Sequence, residues 1–176
     1  SGFPFEAFLA EMFRAEGYTA TTDQIIGGAC VEHEVDVVLQ KDGEVTYVEA
    51  KFHNSAGFKT DLKTVLYVQA RLEDIALKVG KHPQGLVVTN TKFTTKAAEY
   101  ASCKGLPLLG WDYPQHATLQ SRVEAAGTYP ITALTTLSHR QKTAMLSSNI
   151  VLCQALPKES RALAAAGVTG RKAAQV

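Results

Sequence analysis

A chain of 176 residues, 45% hydrophobic and 20% charged, has the size and composition of one globular domain, or of one domain with a small appendage. Its net charge of +1 speaks against a dedicated polyanion binder, no apolar run is long enough to span a bilayer, and no signal-peptide pattern opens the chain. Three widely spaced cysteines without a CxxC, Cys30, Cys103 and Cys153, argue against a disulfide frame or a zinc cluster and are expected to be reduced, mostly buried thiols in a cytoplasmic protein.

Charge is unevenly spread. From Ser138 to Val176 six Lys/Arg stand against one acid, which leaves twelve cations and sixteen acids in the preceding part. A basic tail behind an acidic body suits phosphate-backbone binding, and equally a solvated helical surface. The opening SGFPFE has no initiator Met and reads as the start of a fragment, with a further domain expected upstream.

Phe5, Phe8, Leu9, Met12 and Phe13 recur at helical spacing, so the first element is an amphipathic helix that stops at Gly17. Glu6 lies at the margin of its apolar stripe, where it either reaches a neighbouring cleft or is simply solvated. A short strand is expected through YTATT from Tyr18, broken by Gly27-Gly28.

Two runs rich in Val, Thr and Tyr then flank Asp42-Gly43, the pair that tolerates the positive φ angles of a two-residue hairpin turn. With those two residues as the loop, Lys41 faces Glu44 and Asp36 faces Glu49. Directly opposed like charges are destabilising. Alternation puts Glu32, Glu34 and Asp36 on one face with Glu49, Lys51 and His53, while Val35, Val37, Val48 and Ala50 take the core face. Paired carboxylates repel unless a cation compensates, and a hard divalent ion held by carboxylate oxygens does so economically. The alternative is a solvated face of ion pairs, with Glu34 opposite Lys51 and Glu32 opposite His53. Val38, Val45 and Tyr47 on the same face confine the charges to one end of a partly apolar surface.

After the turn-like HNSAGF, a long helix is expected from Thr60 or Asp61 to Val79, with Leu62, Val65, Leu66, Leu72, Ile75, Ala76 and Val79 as apolar positions and Gly80 as the stop. QGLVVTN reads as a buried strand, Thr94 or Thr95 as the cap of a helix through KAAEYASCKG, and LPLLGW as a strand ending at Trp111. Strand, helix, strand favours parallel pairing at the far side of the sheet. The expected fold is α/β, a mixed sheet flanked by helices in the order α-β-β-β-α-β-α-β, over residues 1–113. Residues 114–176 are expected to form a basic, mainly helical C-terminal extension. Within it DYPQHATL and GTYPITAL look loop-like, Ser138 caps HRQKTAML with Gln141 completing a capping box, and two short helices surround Gly167 and Gly170.

Asp36, twelve intervening residues, and then Glu49-Ala50-Lys51 resembles the PD-(D/E)XK motif of restriction-endonuclease-like nucleases. FEAFLAEMFRAEGYTA resembles the first helix and strand of the Mrr-like branch, and QGLVVTNTKFTTKAAEYASCKGLPLLGW is similar to its later strand-helix-strand. The likeness runs in order from Phe3 to about Trp111, with Val35 where the nominal motif has Pro. VEHEVDVV with VEAKFH also looks like a subgroup whose nuclease domain follows an ATP-cone domain, in keeping with the truncated start.

The resemblance implies a metal-dependent endodeoxyribonuclease that hydrolyses DNA phosphodiester bonds with a metal-activated water. Asp36 and Glu49, with the Ala50 carbonyl oxygen, would hold Mg²⁺ or Mn²⁺. Lys51 would orient or activate the water and stabilise charge on the phosphate, and Glu6 corresponds to a first-helix acid beside such sites. Glu34 and His53 are supporting candidates, and Gln69 is a weaker one. His33 is expected to be a packed or edge histidine, and Tyr67 and Tyr100 core aromatics. DNA is the implied partner, no membrane is, and a homodimer suits double-strand cleavage. Rival readings are a non-catalytic nucleic-acid-binding or regulatory module of a larger protein, and a non-nuclease interaction domain.

Overall fold

The hairpin turn sets the frame of the sheet. In the computed structural model, which describes residues 4–158 and 160–169, Asp42 and Gly43 take φ of 52° and 80°. They join β2 (Glu32–Lys41) to β3 (Glu44–Lys51). Only turn residues tolerant of the left-handed region close so short a loop. β1 (Thr19–Gly27) adds antiparallel to β2, β5 (Gln84–Thr89) pairs parallel with β3, and β7 (Leu108–Leu109) pairs parallel with β5. The sheet order is β1-β2-β3-β5-β7. This is the mixed sheet that the sequence implies, with its parallel part on the expected side.

Two layers of helix cover it. α1 (Phe5–Ala15) lays Phe5, Phe8, Leu9, Met12 and Phe13 on Val37, Leu39, Val48 and Val88. On the other face α2 (Leu62–Val79) and α3 (Thr95–Lys104) enclose Val65, Val68, Leu72, Ala97 and Ala101 with Val87, Leu106 and Leu108. Their termini follow the residue chemistry: Asp61 and Thr94 accept the N–H groups of Thr64 and Ala97, and Gly80 and Gly105 close the helices in left-handed conformations.

Several expectations change. β1 runs on to Gly27 instead of stopping after YTATT, because it stays paired with β2 as far as Glu32. The last strand is two residues long, and Trp111 lies beyond it, 43% exposed. A two-stranded parallel sheet of β4 (Lys59–Thr60) and β6 (Lys92–Phe93) was not foreseen, since two-residue strands carry no periodic signal. On α2, Leu66 and Val79 are exposed while Val68, Gln69 and Arg71 are buried, so the covered stripe is turned toward the polar positions. Tyr67 is 54% exposed rather than core. Cys30 and Cys103 are exposed and Cys153 is half-buried, all three free as expected but not enclosed.

Beyond Asp112, α4 (Leu119–Ala126) lies between the two loop-like stretches, where the sequence reading placed no particular element. Its cap is Thr118, and Leu119 and Val123 pack into the α1 core. α5 (His139–Ser147) starts at Ser138 with the capping box to Gln141. With a 3₁₀ turn at Cys153–Lys158 and α6 (Ser160–Ala165), it surrounds a third core of Ile131, Leu137, Met145, Ile150, Leu156, Leu163 and Val168. The helix expected after Gly170 lies outside the described residues.

Candidate active site

The site lies where two strands part. β2 and β3 pair in the register of the turn from Lys41↔Glu44 to Val37↔Val48, and there their ladder stops. β2 continues along β1, and β3 continues along β5 to Lys51↔Thr89. Across from Asp36, Asp23 of β1 takes a left-handed φ of 54°, a conformation open to Asp. The expected facing pair Asp36 and Glu49 therefore takes a different form. Asp36 Oδ2 accepts the Ala50 N–H at 2.6 Å, so a side chain closes the gap that the backbone ladder leaves.

Glu49 is 4% exposed and would be costly as a bare carboxylate. Two cations compensate. Lys51 Nζ is 2.5 Å from Oε1, and the Arg71 guanidinium bonds Oε2 from α2. Arg71 is itself 3% exposed, lies over the Tyr67 ring at 4.7 Å, and leaves its Nε without a partner. Lys51 pairs with Glu49 and not with Glu34, which is exposed on β2 beside Ile25 of β1. The fork at Val37 and Val48 explains this: Glu34 follows β1 away from Lys51.

Burial raises the Asp36 carboxyl above its ordinary range. The Ala50 N–H works against that rise, the neighbouring Glu49 charge adds to it, and Lys51 and Arg71 oppose it. Asp36, Glu49, Lys51 and Arg71 thus form one electrostatic group. Its donors fit a hard divalent ion that keeps several waters and takes only one or two protein carboxylates. Among the described residues no three His, Cys, Asp or Glu side chains gather to hold a metal ion, so the protein's share would be two carboxylates, with water supplying the rest.

The other candidates fall elsewhere. Glu6 is half-buried on α1, whose apolar face packs on the side of the sheet away from Glu49 and Arg71. His53 is turned toward Thr60 Oγ1 at 3.1 Å and stacks on Phe58. Gln69 donates to Glu73 at 2.8 Å and does not approach the group. His33 is an edge histidine, as expected, bonded at 2.8 Å to Asp74 of α2. Asp74 also accepts the Cys30 and Val31 N–H groups, and a Cβ at Gly28 would meet its Oδ2 at 1.9 Å. The His33 hydrogen bond first, with the backbone donors, holds the Asp74 carboxyl well below the usual range.

Sequence reading missed Arg71 and Asn90. Arg71 falls three residues after Val68 and four before Ile75, so a lone cation amid an apolar helical stripe was its signal. Asn90 accepts the His53 N–H at 2.7 Å and donates to the His53 carbonyl at 2.8 Å, clipping the ends of β3 and β5 together beside Lys51. A polar residue just past a buried strand gives no such warning.

Residues 1–113 match the family model described as Restriction endonuclease, and residues 129–176 match one described as AF1548-like, C-terminal. The first match spans most of the chain. This protein belongs to the restriction endonuclease family. An uncharacterized protein of Archaeoglobus fulgidus is 41% identical over 128 residues, 72% of this chain and 71% of that one. The crystal structure of AF1548, a protein of unknown function, aligns with 99% of this restriction endonuclease family member and 94% of its own chain, at TM-score 0.80 and 32% identity. A repair endonuclease from Pyrococcus abyssi aligns with 61% of this chain and 46% of its own, at TM-score 0.48 and 21% identity.

Proposed function

We propose that this protein is a metal-dependent endodeoxyribonuclease that hydrolyses phosphodiester bonds of DNA, with residues 1–113 as the nuclease unit and residues 114–176 as its C-terminal extension. The observation that carries the reading is the strand fork, which gathers Asp36, Glu49 and Lys51 at one end of the sheet. Family membership supports nuclease chemistry in general.

Asp36, Glu49 and the Ala50 carbonyl would hold Mg²⁺ or Mn²⁺. When bound, the ion supplies Lewis acidity at the phosphate and a water made nucleophilic at neutral pH. The chain's own residues do the rest. The Ala50 N–H fixes one Asp36 oxygen and leaves the other for the ion. Arg71, enclosed under Glu49, holds that carboxylate in place and keeps the buried charge balanced. Lys51, 41% exposed, presents its ammonium where it faces an incoming phosphate and stabilises charge that develops there. Glu6, on the α1 side of the sheet, takes no part in the metal site. A cytoplasmic location, a homodimer for double-strand cleavage and an ATP-cone domain upstream complete the proposal. Among the described residues no helix is long and apolar enough to cross a membrane.

One observation favours a second reading, a non-catalytic nucleic-acid-binding or regulatory module. Both Glu49 oxygens already have cationic partners, an arrangement complete without a metal. Titrating Mg²⁺ and Mn²⁺ against plasmid and branched DNA separates the two. The wild type is expected to cut, Lys51→Ala to lose about 10²-fold or more in rate with DNA binding kept, and Glu34→Ala to cut normally. Normal cutting by Lys51→Ala removes the catalytic assignment, and binding without cutting by the wild type establishes the module.

A further inference from the structure

The small sheet beyond the site pairs two lysines directly. β4 and β6 run parallel with Lys59 opposite Lys92 and Thr60 opposite Phe93, and the Thr94 N–H bonds the Thr60 carbonyl at 3.0 Å. Each strand leads through a capping residue, Asp61 or Thr94, into a helix whose second residue is again a lysine, Lys63 or Lys96. The two strand-cap-helix units lie side by side. Lys59 and Lys92 thus lie opposite each other, and Lys63 and Lys96 open the two helices that follow, all four exposed.

Like charges directly opposed across strands are destabilising unless something compensates. The nearby acids do part of that work. Asp112 reaches Lys92 at 2.9 Å, and Asp61 is engaged in capping α2. The residues before Ser138 carry sixteen acids against twelve cations, so this edge is a local concentration of positive charge on an acidic body. The two helix starts add partial positive charge of their own.

Its position gives the edge a partner. Thr89 is the pairing partner of Lys51, and Lys92 follows it by three residues, within about 10 Å of chain. Thr60 is tied to His53, two residues past Lys51, so β4 is anchored to the same end of the sheet. Phe58, 65% exposed and stacked on His53, stands next to Lys59. A polyanion seated on the lysines lies alongside the Asp36 and Glu49 carboxylates.

We propose that Lys59, Lys63, Lys92 and Lys96 form a track for the DNA phosphate backbone, which holds the duplex across the end of β3 and β5 with one phosphate at Lys51. The proposal rests on the nuclease reading for its substrate. Such a track contacts backbone alone, so it supplies affinity and register without base preference.

Anisotropy of a fluorescein-labelled duplex, measured against salt in EDTA, tests it with the Lys59→Ala/Lys63→Ala/Lys92→Ala/Lys96→Ala variant and with Lys78→Ala/Lys81→Ala at the far end of α2. The track variant is expected to bind at least 10-fold more weakly near physiological salt, and its log-log salt slope to fall by about 0.9 for each lysine removed. Its melting temperature is expected to stay level or rise, because an opposed like-charge pair is gone. The far-end variant is expected to bind as the wild type does. Restoring the charges as arginine recovers binding if charge is what acts. A track variant that matches the wild type in affinity and slope overturns the inference, and Mg²⁺-dependent cutting by the wild type then leaves the nuclease reading standing. Lysine-dependent binding without any cutting upholds the track and overturns the nuclease. A wild type that binds no duplex at any salt overturns both.

Discussion

Asp36 holds two demands in opposition. Metal binding needs its carboxylate ionised, while burial makes ionisation costly. Below the ordinary carboxylate range both folded and unfolded chains hold the proton, and Asp36 contributes nothing to the pH dependence of stability. Between the ordinary value and the raised one the folded chain keeps a proton that the unfolded chain has lost. The metal-free protein is therefore expected to lose stability as pH rises through that window, and to hold the full cost above it. Asp36→Asn retains an oxygen for the Ala50 N–H but cannot ionise. Thermal melts in EDTA across pH are expected to show this variant at least as stable as the wild type at neutral pH, without the Asp36 part of the decline. Calorimetry is expected to find Mn²⁺ binding weakened or lost in it, and proton release on binding by the wild type. Asp36 was legible in the sequence because Asp42-Gly43 fixed the hairpin register before any residue was assigned a role. What that register could not disclose was the parting of the strands at Val37 and Val48, which depends on β1 and β5 claiming β2 and β3 separately.

α2 shows how an element can be legible in extent and misleading in orientation. Its cap at Asp61, its stop at Gly80 and its length follow from local chemistry. Its buried stripe does not, because the surface it covers carries Glu49 and rewards a buried cation. Arg71 is expected to be a large contributor to stability through that carboxylate. Arg71→Met leaves Glu49 enclosed with Lys51 alone and should cost about 3 kcal/mol in urea unfolding, the usual range for breaking one side of a buried pair. Adding Glu49→Gln should recover much of the loss, because no uncompensated charge remains, and an additive double variant would show that the two residues act independently. The short elements, β4 and β6, were illegible for a different reason. Two residues carry no period, and their pairing depends on the loops that bring Lys59 beside Lys92. α4 was hidden by its setting among Pro, Gly and Thr, although Thr118 is an ordinary helix cap.

For the whole molecule, three cores divide the labour, under α1, under α2 and α3, and within the extension. The one under α1 includes Leu119, Val123, Val151 and Leu152 from the later chain, so the extension is packed into the main body as well as around its own centre. The fold class was legible because helix and strand periods alternate in chain order, and the likeness of Phe3 to Trp111 extended that reading to a family. The role of the extension was not, since its basic residues suit either DNA or solvent. Across this body the account makes one claim above the others, that the Asp36, Glu49 and Lys51 group hydrolyses DNA with a divalent ion. The most direct measurement is Mg²⁺-dependent nicking of supercoiled plasmid by the wild type and by Asp36→Asn, at matched folding and matched DNA binding. The account predicts nicking by the wild type that EDTA abolishes, and a loss of about 10²-fold or more in Asp36→Asn. Nicking that persists unchanged in Asp36→Asn, or a wild type that leaves the plasmid intact, would contradict it.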